Sequence, residues 1–578
     1  MQISGAELFV NALKAEQVDT LFAYPGGQAI DLFDALYQEP DIDVILPRHE
    51  QGLIHAADGY ARSTGKTGVC LVTSGPGATN LVTGIATANY DSVPLVCFTG
   101  QVPTSLIGND AFQEVDIVGI TRSICKYAVT VRDREDLNST IKKAFYIARS
   151  GKPGVVVVDI PKDIQRADGS GLYPDTIDIR GYKPSTSVHI GQLKKALGLL
   201  KHAKRPVFLV GGGVNITHAG KEMTKLAELT GCPVVTTIMG KGAVPTSHPL
   251  YIGNIGIHGS FAANSAISHC DLLFSIGTRF NDRITGKIEE FAKGASIVHI
   301  DIDSASISRN IAVDVPIVAD AKQAILALTE RAVPLKIDAW RDEIKAWDQQ
   351  FPLSSEADGL TPAAIIGAIN ETFDHSVIAT DVGQNQLWAT QYLSLDEHRQ
   401  LMTSGGLGTM GYGFPAALGA KLGNPDKDVI VISGDGGMQM NIQEMATAVV
   451  YELPVIICIL NNGYLGNVRQ WQEMFFDRRY SSTCMRRRRS CVAACTDPRR
   501  ECPEYTPDFV KLAESYGAKG IRVTKAEDIA SALMEAKNTR TVPTVIEFII
   551  EREANVLPMV PPGNPLSDMI LEKEEQGE

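Results

Sequence analysis

Short apolar runs rich in β-branched residues alternate with helical stretches along the whole chain. Examples of these runs are residues 68–72, 206–210 and 429–432. Parallel strands need a long crossover between them, usually a helix, so this alternation favours parallel sheets covered by helices on both faces. The chain is therefore predicted to have an α/β fold built of doubly wound parallel-sheet domains.

The alternation falls into three blocks. They predict an N-terminal domain over residues 1–164, a central domain over 188–335 and a C-terminal domain over 358–550, followed by a tail over 551–578. The segment 165–187 holds several Gly, Pro and Asp residues without periodicity, which is typical of a linker. A length of 578 residues agrees with several domains, because one hydrophobic core usually organises far fewer.

Composition and charge argue against several classes of protein. The net charge of -13 disfavours a nucleic-acid binder, and no apolar run is long enough to cross a bilayer. The first residues lack a basic segment followed by an apolar stretch, so we expect no export signal. Ten cysteines in so long a chain do not form a disulfide scaffold. We predict a cytoplasmic protein whose partners include neither nucleic acid nor membrane.

The strongest chemical signal is the segment VIVISGDGGMQMN, which is followed at the end of the next apolar run by an asparagine pair that ends in Asn462. Both motifs fall at the carboxyl ends of predicted strands, where ligands bind in doubly wound sheets. The oxygens of Asp435 and Asn462 suit magnesium, and Gly434, Gly436 and Gly437 allow a diphosphate to approach the backbone. Together the motifs favour a metal-diphosphate site, although a GDG alone would be a common surface turn.

This arrangement of GDG, a spacer and NN resembles the cofactor motif of the thiamine-diphosphate enzymes. The resemblance implies three doubly wound domains and a magnesium ion held by Asp435, Asn462 and the main-chain carbonyl of Tyr464. It also implies that Met410 props the cofactor into a bent shape. A second phosphate-binding element is implied in VIATDVGQNQ, at Gly383, Gln384 and Asn385.

A second constellation lies in PRHEQGLIHAADGYAR, where Glu50 follows a strand-like run and precedes a predicted helix. An isolated glutamate is usually only a solvated charge. In the resembled family, however, a glutamate in such a segment bonds the pyrimidine nitrogen of the cofactor and promotes removal of the thiazolium proton. The family places this glutamate and the diphosphate site on different subunits, so the resemblance implies at least a homodimer.

Further segments resemble the acetohydroxyacid synthases in particular, over nearly the whole chain. They are YPGG at 24–27, TSGPGATN at 73–80, GQVPTSLIGNDAFQE at 100–114, PKD at 161–163 and VRQWQ at 468–472. The residues so implied are Phe112, Gln113 and Lys162 at the entrance of the active site, and Gly27, Val468 and Trp471 at the substrate pocket. By residue type alone, Phe112 and Trp471 would be assigned to apolar packing.

The central block predicts a flavin site. VGGG follows a predicted strand, as a phosphate-approach loop does, and GIHG, TRFNDR and HIDIDSASI add to the resemblance with the FAD-containing biosynthetic synthases. The implied FAD contacts are Lys152, Gly211, Gly212, Gly213, Asp282, Arg283, Asp301, Ile302 and Asp320. Three positions depart from the family's usual residues: Lys152 for arginine, Ile257 for methionine and Asn281 for aspartate. Lysine does not reproduce guanidinium stacking or bidentate bonding, which puts the FAD affinity in question.

The Cys-rich insert over 484–502 departs most from the family. Its cysteines are Cys484, Cys491, Cys495 and Cys502, and several arginines lie among them. Four thiolates suit zinc or an iron–sulfur cluster, whereas nearby arginines equally favour a reversible disulfide. The spacing matches no standard zinc pattern, so a solvated basic loop remains an alternative.

The resemblance implies a catalytic subunit, homodimeric or tetrameric, that uses thiamine diphosphate, Mg²⁺ and FAD. It would join pyruvate to pyruvate or 2-ketobutyrate, giving 2-acetolactate or 2-aceto-2-hydroxybutyrate for branched-chain amino-acid biosynthesis. The family often works with a small regulatory subunit. The alternatives are a FAD-independent catabolic acetolactate synthase and another thiamine-dependent carboligase or pyruvate oxidase. A non-catalytic flavin or redox sensor would not explain Glu50, Asp435 and Asn462.

Overall fold

A computed structural model of the chain describes residues 2–184, 187–353, 359–396, 398–492, 495 and 502–571. Three six-stranded sheets organise them, and all strands within each of these sheets run parallel. Helices join successive strands, so the α/β fold predicted from the alternation is confirmed. Within the described ranges, no helix has the length and apolar character needed to cross a bilayer.

The N-terminal sheet has the strand order β3-β2-β4-β5-β7-β6, and a short antiparallel pair, β1 with β8, lies beside it. Its strands are β1 Gln2–Ser4, β2 Thr20–Ala23, β3 Asp43–Ile45, β4 Gly68–Val72, β5 Leu95–Gln101, β6 Tyr127–Thr130, β7 Val155–Pro161 and β8 Asp168–Ser170. Its helices are α1 Gly5–Ala15, α2 Ile30–Tyr37, α3 Glu50–Thr64, α4 Pro76–Thr79, α5 Val82–Tyr90, α6 Ile117–Thr121, α7 Leu137–Arg149 and α8 Lys162–Arg166.

The central sheet has the order β11-β10-β9-β12-β13-β14, which is the strand order of dinucleotide-binding folds. Its strands are β9 Pro206–Val210, β10 Val234–Thr236, β11 Tyr251–Asn254, β12 Leu272–Ile276, β13 Ser296–Asp301 and β14 Val315–Val318. Its helices are α9 Ile190–His202, α10 Gly212–Ile216, α11 Gly220–Thr230, α12 Phe261–His269, α13 Asp282–Thr285, α14 Ala321–Thr329 and α15 Asp338–Gln350.

The C-terminal sheet has the order β16-β15-β17-β18-β20-β19, which repeats the succession of the N-terminal sheet. Its strands are β15 Ser376–Thr380, β16 Arg399–Met402, β17 Asp428–Gly434, β18 Ile456–Asn461, β19 Lys519–Val523 and β20 Thr544–Ile549. Its helices are α16 Pro362–Thr372, α17 Gln384–Tyr392, α18 Gly413–Gly423, α19 Asp435–Met438, α20 Glu444–Val450, α21 Gly466–Phe475, α22 Phe509–Ser515 and α23 Ile529–Asn538. The strand order reverses between β15 and β17, which makes their carboxyl ends the expected ligand site.

Two segments pack differently from the sequence-based boundaries. The first residues of the predicted linker belong to α8 and β8, and β8 pairs with β1 of the N-terminal domain. The predicted tail packs on the central domain, because the Val560 amide donates to the Ile257 carbonyl at 2.7 Å and the Lys287 amide donates to the Asn564 carbonyl at 3.0 Å. The local composition of both segments gives no sign of these long-range pairings.

The N-terminal and C-terminal domains meet where α3 crosses α18. Glycines allow the two helices to touch, since a Cβ atom at Gly59 would lie 1.9 Å from the Ala416 carbonyl oxygen and one at Gly419 would lie 1.8 Å from that of Ala56. The helix α3 ends at Gly65, whose φ of 74° is left-handed and suits glycine. Close packing at α3 fixes the position of Glu50, its first residue.

A buried charge network reinforces this interface. The Arg62 guanidinium donates to Asp58 at 2.6 Å and to Asp91 at 2.9 Å, and the Tyr412 hydroxyl donates to Asp58 at 2.6 Å. Asp58 and Tyr412 are buried. Such charges are tolerated in the interior only because each has hydrogen-bonded partners.

We predict that Tyr412→Phe destabilises the protein by about 1.5–3 kcal/mol, because it removes one buried hydrogen bond to a charged carboxylate. The measurement is the shift in the urea unfolding transition. Tyr37→Phe is the matched control, since Tyr37 is 92% exposed and its substitution should leave the transition unchanged. Equal transitions for both variants would show that the network adds nothing to stability.

Candidate active site

The C-terminal ends of β17 and β18 bring Asp435 and Asn462 together. The Asp435 carboxylate accepts a hydrogen bond from the Asn462 backbone amide. The Asn462 side-chain amide donates to Gln384 Oε1 at 3.1 Å, which ties the end of β18 to the start of α17. Three motifs that lie far apart in sequence therefore meet at the point where the strand order reverses.

The surroundings of Asp435 suit a cation. Its side chain is buried, and among the described residues its Oδ2 atom has no hydrogen-bond partner. Burial raises the pKa of Asp435 to about 7, although a hydrogen bond with the Tyr505 hydroxyl opposes this effect. A divalent ion would compensate both the buried charge and the unpartnered oxygen. A carboxylate, an amide oxygen and a main-chain carbonyl form the kind of oxygen donor set that magnesium prefers.

Gly436 follows Asp435 directly and is closely packed. A Cβ atom there would lie 2.8 Å from Leu465, 3.3 Å from the Met485 sulfur and 3.7 Å from the Met410 methyl carbon. Gly436 has no side chain, so apolar side chains pack directly against its Cα atom. Met410, which the resemblance assigns to cofactor support, lies against the GDG segment.

The second predicted phosphate element lies next to the first. Gly383 has a φ of 133°, which favours glycine, and it precedes the first turn of α17. The Asn385 side-chain amide donates to the carbonyls of Asp381 and Ile432, both at 2.9 Å, and so ties the loop after β15 to β17. These contacts hold the two predicted diphosphate-binding loops next to each other.

Glu50 lies in the N-terminal domain, at the carboxyl end of its sheet. Its Oε2 atom accepts from the Asn80 amide at 2.9 Å, and a Cβ atom at Gly77 would lie 3.5 Å from its Oε1. Glu444 of the C-terminal domain accepts from the backbone amides of Arg48 and His49, which fixes the start of α3.

The other predicted N-terminal site residues fall into two groups, Lys162 with Gly27 and Gln113 with the glycine segment next to Glu50. The Lys162 ammonium donates to the Gly27 carbonyl at 2.6 Å. Gln113 has a left-handed φ of 61°, and its carbonyl oxygen would lie 2.9 Å from a Cβ atom at Gly75, in the same glycine segment as Gly77. Phe112 next to it is 86% exposed, so it is not part of this chain's core.

Val468 and Trp471 lie on α21, just beyond the predicted metal residues. Val468 is 52% exposed. Trp471 is half-buried, and the Arg283 guanidinium of the central domain lies 6.0 Å from its ring centroid. Trp471 of the predicted acceptor pocket and the predicted flavin residue Arg283 are therefore neighbours.

A cavity of about 2290 Å³ lies between the N-terminal and central domains, and residues of the C-terminal domain around β16 complete its wall. Seven of the nine predicted flavin residues line it: Lys152, Gly212, Gly213, Arg283, Asp301, Ile302 and Asp320. The other two, Gly211 and Asp282, are each next in sequence to a lining residue. The Gly211 amide donates to the Ile276 carbonyl, and the Asp282 carboxylate pairs with Arg283. The glycine loop and its position at the end of a dinucleotide-type sheet fit FAD, and the cavity has room for it.

Lys152, which departs from the family's arginine and lines the cavity, has a carboxylate partner just after the lining residues Asp301 and Ile302. Its ammonium lies 3.5 Å from an Asp303 carboxylate oxygen. The side chain is thus held by a carboxylate of the HIDIDSASI segment.

All four cysteines of the insert are free thiols in the structure. Across the ranges that the structure describes, no three or more His, Cys, Asp or Glu side chains group as a possible metal site, and no disulfide links any cysteine. Cys484 and Cys502 both accept from Arg552, whereas Cys491 accepts from the Arg488 amide in a local turn. Zinc, an iron–sulfur cluster and a reversible disulfide stay predictions for the insert.

Sequence reasoning missed three residues that shape the site. Asp381 accepts from the backbone amides of Gly411 and Gly413 and so positions the segment that carries Met410. Asn80 bonds Glu50, and Tyr505 bonds Asp435. Asn80 ends the quoted TSGPGATN segment, so its signal was present, whereas Tyr505 lies far from Asp435 in sequence and has no local signature.

Three family models match the chain. They are the thiamine pyrophosphate enzyme N-terminal TPP binding domain over residues 3–120, the central domain over 193–328 and the C-terminal TPP binding domain over 381–548. Thiamine pyrophosphate is another name for thiamine diphosphate. The C-terminal match contains the Asp435 and Asn462 site, and the N-terminal match contains Glu50.

Curated relatives are similar over nearly the full chain. The acetolactate synthase large subunit of Corynebacterium glutamicum is 44% identical, covering 98% of this chain and 90% of that protein. The acetolactate synthase isozyme 3 large subunit of Escherichia coli is 42% identical, covering 99% of both. The probable acetolactate synthase large subunit of Methanocaldococcus jannaschii is 44% identical, covering 98% of this chain and 95% of that protein.

Proposed function

Because this chain belongs to the acetolactate synthase large-subunit family of thiamine pyrophosphate enzymes, we propose that it decarboxylates pyruvate and transfers the hydroxyethyl unit to a second 2-keto acid. Pyruvate as acceptor gives 2-acetolactate, and 2-ketobutyrate gives 2-aceto-2-hydroxybutyrate, both precursors of branched-chain amino acids. The observation that carries the proposal is the meeting of Asp435, Asn462 and Gln384 where the C-terminal strand order reverses. The unpartnered Asp435 oxygen supports a divalent ion there.

The roles of the residues follow from their positions. Asp435, Asn462 and the Tyr464 carbonyl would hold Mg²⁺, while the loops at Gly383 and Gly436 would admit the diphosphate. When bound, thiamine diphosphate supplies a carbon nucleophile and an electron sink for decarboxylation. Glu50 would hold a proton at the pyrimidine nitrogen. The exposed Phe112 would shield the reacting atoms from water.

The assembly is proposed to be at least a homodimer. Glu50 finds its polar partner Asn80 within the N-terminal domain, whereas Asp435 lies in the C-terminal domain, and the family resemblance places such a pair on different subunits. The exposed apolar side chains of Phe112 and Val468 support the same view, because a partner surface would cover them. The relatives are named large subunits, so we also propose a small regulatory partner.

FAD is proposed as the third cofactor. The cavity between the N-terminal and central domains supports the biosynthetic type over a FAD-independent catabolic synthase, because most predicted flavin residues line it. Lys152 would offer a single cationic donor in place of an arginine fork. Its pairing with Asp303 competes with any flavin contact.

We predict that Trp471→Leu reduces the preference for 2-ketobutyrate over pyruvate by about tenfold, because a single methylene in an apolar pocket is discriminated by this order of magnitude. The measurement is the ratio of the two products when both acceptors compete. Trp347→Leu is the matched control, since Trp347 is also half-buried but lies on α15. An unchanged ratio in Trp471→Leu would remove this residue from the acceptor pocket.

The proposed function is tested by identifying products with mass spectrometry. Pyruvate alone should give 2-acetolactate. When 2-ketobutyrate is added, 2-aceto-2-hydroxybutyrate should form and the yield of 2-acetolactate should fall. Acetate together with hydrogen peroxide, and no acetolactate, would instead identify a pyruvate oxidase.

A further inference from the structure

The two ends of the Cys-rich insert meet at one guanidinium. Arg552 donates from one terminal nitrogen to the Cys502 sulfur at 3.0 Å and from the other to the Cys484 sulfur at 3.7 Å. The guanidinium fork is rigid and planar, so it holds the two acceptors side by side. Both cysteines are half-buried and within reach of a small reagent. The function proposed above gives neither sulfur a role.

Cys484 is fixed to the metal-diphosphate site by backbone pairing. It forms an antiparallel bridge with Tyr464, whose carbonyl is the proposed metal ligand. The Leu465 amide donates to the Thr483 carbonyl, and the Met485 amide donates to the Gly463 carbonyl, both at 2.9 Å. Met485, the next residue, places its sulfur near Gly436.

Cys502 is fixed to the same site from the other side. The Arg486 guanidinium donates to the Pro503 carbonyl at 2.7 Å, so the two ends of the insert are also joined by their neighbours. Tyr505, three residues beyond Cys502, bonds Asp435 and accepts from the Gln439 amide at 3.0 Å. A covalent bond between Cys484 and Cys502 would therefore restrict residues that touch the proposed metal site.

Cys491 is placed differently from the pair at Arg552. It accepts from the Arg488 backbone amide at 3.3 Å within a local turn. The Arg552 terminal nitrogens donate to Cys484 and Cys502. The shared donor selects one pair among the possible pairings.

We propose that Cys484 and Cys502 form a reversible disulfide that fixes Met485 and Tyr505 against the metal-diphosphate site. With a peroxide as oxidant, one thiolate attacks a peroxide oxygen to give a sulfenic acid, and the second thiol displaces its hydroxyl as water. The two thiols lose two electrons and two protons, and hydrogen peroxide becomes two waters. A dithiol reductant reverses the step by exchange.

The disulfide should slow the exchange of thiamine diphosphate and magnesium. In the reduced protein, hydrogen bonds made by Arg552 and Arg486 link the two ends of the insert, in addition to the intervening backbone. In the oxidised protein a covalent bond ties them to the segment paired with Tyr464. This consequence rests on the proposed cofactor site, whereas formation of the disulfide does not.

The first test maps the disulfide in the full-length protein. Hydrogen peroxide is added in slight excess, remaining thiols are alkylated, and peptides are identified by mass spectrometry. We expect a peptide that links Cys484 to Cys502 and disappears after treatment with dithiothreitol. Cys491→Ser is the matched control and should still form it. No linked peptide, or linkage mainly to Cys491 or Cys495, would overturn the proposal whether or not the protein is a synthase.

The second test measures release of bound thiamine diphosphate and magnesium by rapid gel filtration. Oxidation should slow release at least about fivefold in the unaltered protein and leave it unchanged in Cys502→Ser. Equal release before and after verified oxidation would overturn the effect on the site. A protein that binds no thiamine diphosphate but forms the linkage would contradict the proposed function alone.

Discussion

Glu50→Gln is expected to lower the rate of acetolactate formation by about 10²–10⁴-fold, the usual contribution of a positioned proton-transfer group. Glutamine keeps the shape of the side chain, and its carbonyl oxygen can still accept the hydrogen bond from Asn80. It cannot exchange a proton with the pyrimidine nitrogen. The affinity for thiamine diphosphate should therefore change much less than the turnover number. The measurement is steady-state kinetics together with a cofactor titration.

The control for this substitution is Glu289→Gln, which makes the same chemical change on the exposed surface of the central domain. It should leave turnover unchanged. A Glu50→Gln enzyme with near-normal turnover would remove Glu50 from the chemistry, since no general acid–base role would remain to be lost.

Asp435→Asn is expected to reduce activity by more than about 100-fold, because loss of a partner that only supports a metal ligand already costs 10–100-fold. The substitution removes the charge that faces the proposed ion and leaves the fold of the GDG turn intact. Magnesium affinity should fall in parallel, and high magnesium should restore part of the activity. The measurement is the magnesium dependence of acetolactate formation.

Asp426→Asn is the control, because Asp426 is exposed in the turn just before β17. It should show the magnesium dependence of the unaltered protein. If Asp435→Asn also retained that dependence, the ion would have to be held elsewhere.

The two variants also test whether the site is shared between chains. When Glu50→Gln and Asp435→Asn chains are mixed and refolded, half of the dimers should be hybrids with one intact site, giving about a quarter of normal activity in a symmetric dimer. Sites built within one chain would give no recovery.

The sequence predicted the parts of the site that follow strand ends. Asp435 and Asn462 each end a buried apolar run, and the parallel topology brings neighbouring carboxyl ends together. The fold class followed from the same alternation. The strand orders did not, because the packing of helices between distant strands decides them.

The missed contacts have a common cause. Tyr505 bonds Asp435 across a long stretch of sequence, and Arg552, far from the insert in sequence, bonds Cys484 and Cys502 at its two ends. No local pattern encodes such contacts. For the same reason, the spacing of the cysteines could not show which sulfurs share a donor.

The most direct test of the account is acetolactate formation from pyruvate by the purified protein, with thiamine diphosphate, magnesium and FAD omitted in turn. We predict activity that requires all three. Activity that persists without FAD would contradict the flavin site between the N-terminal and central domains. Absence of acetolactate from a folded, fully supplied protein would contradict the synthase itself.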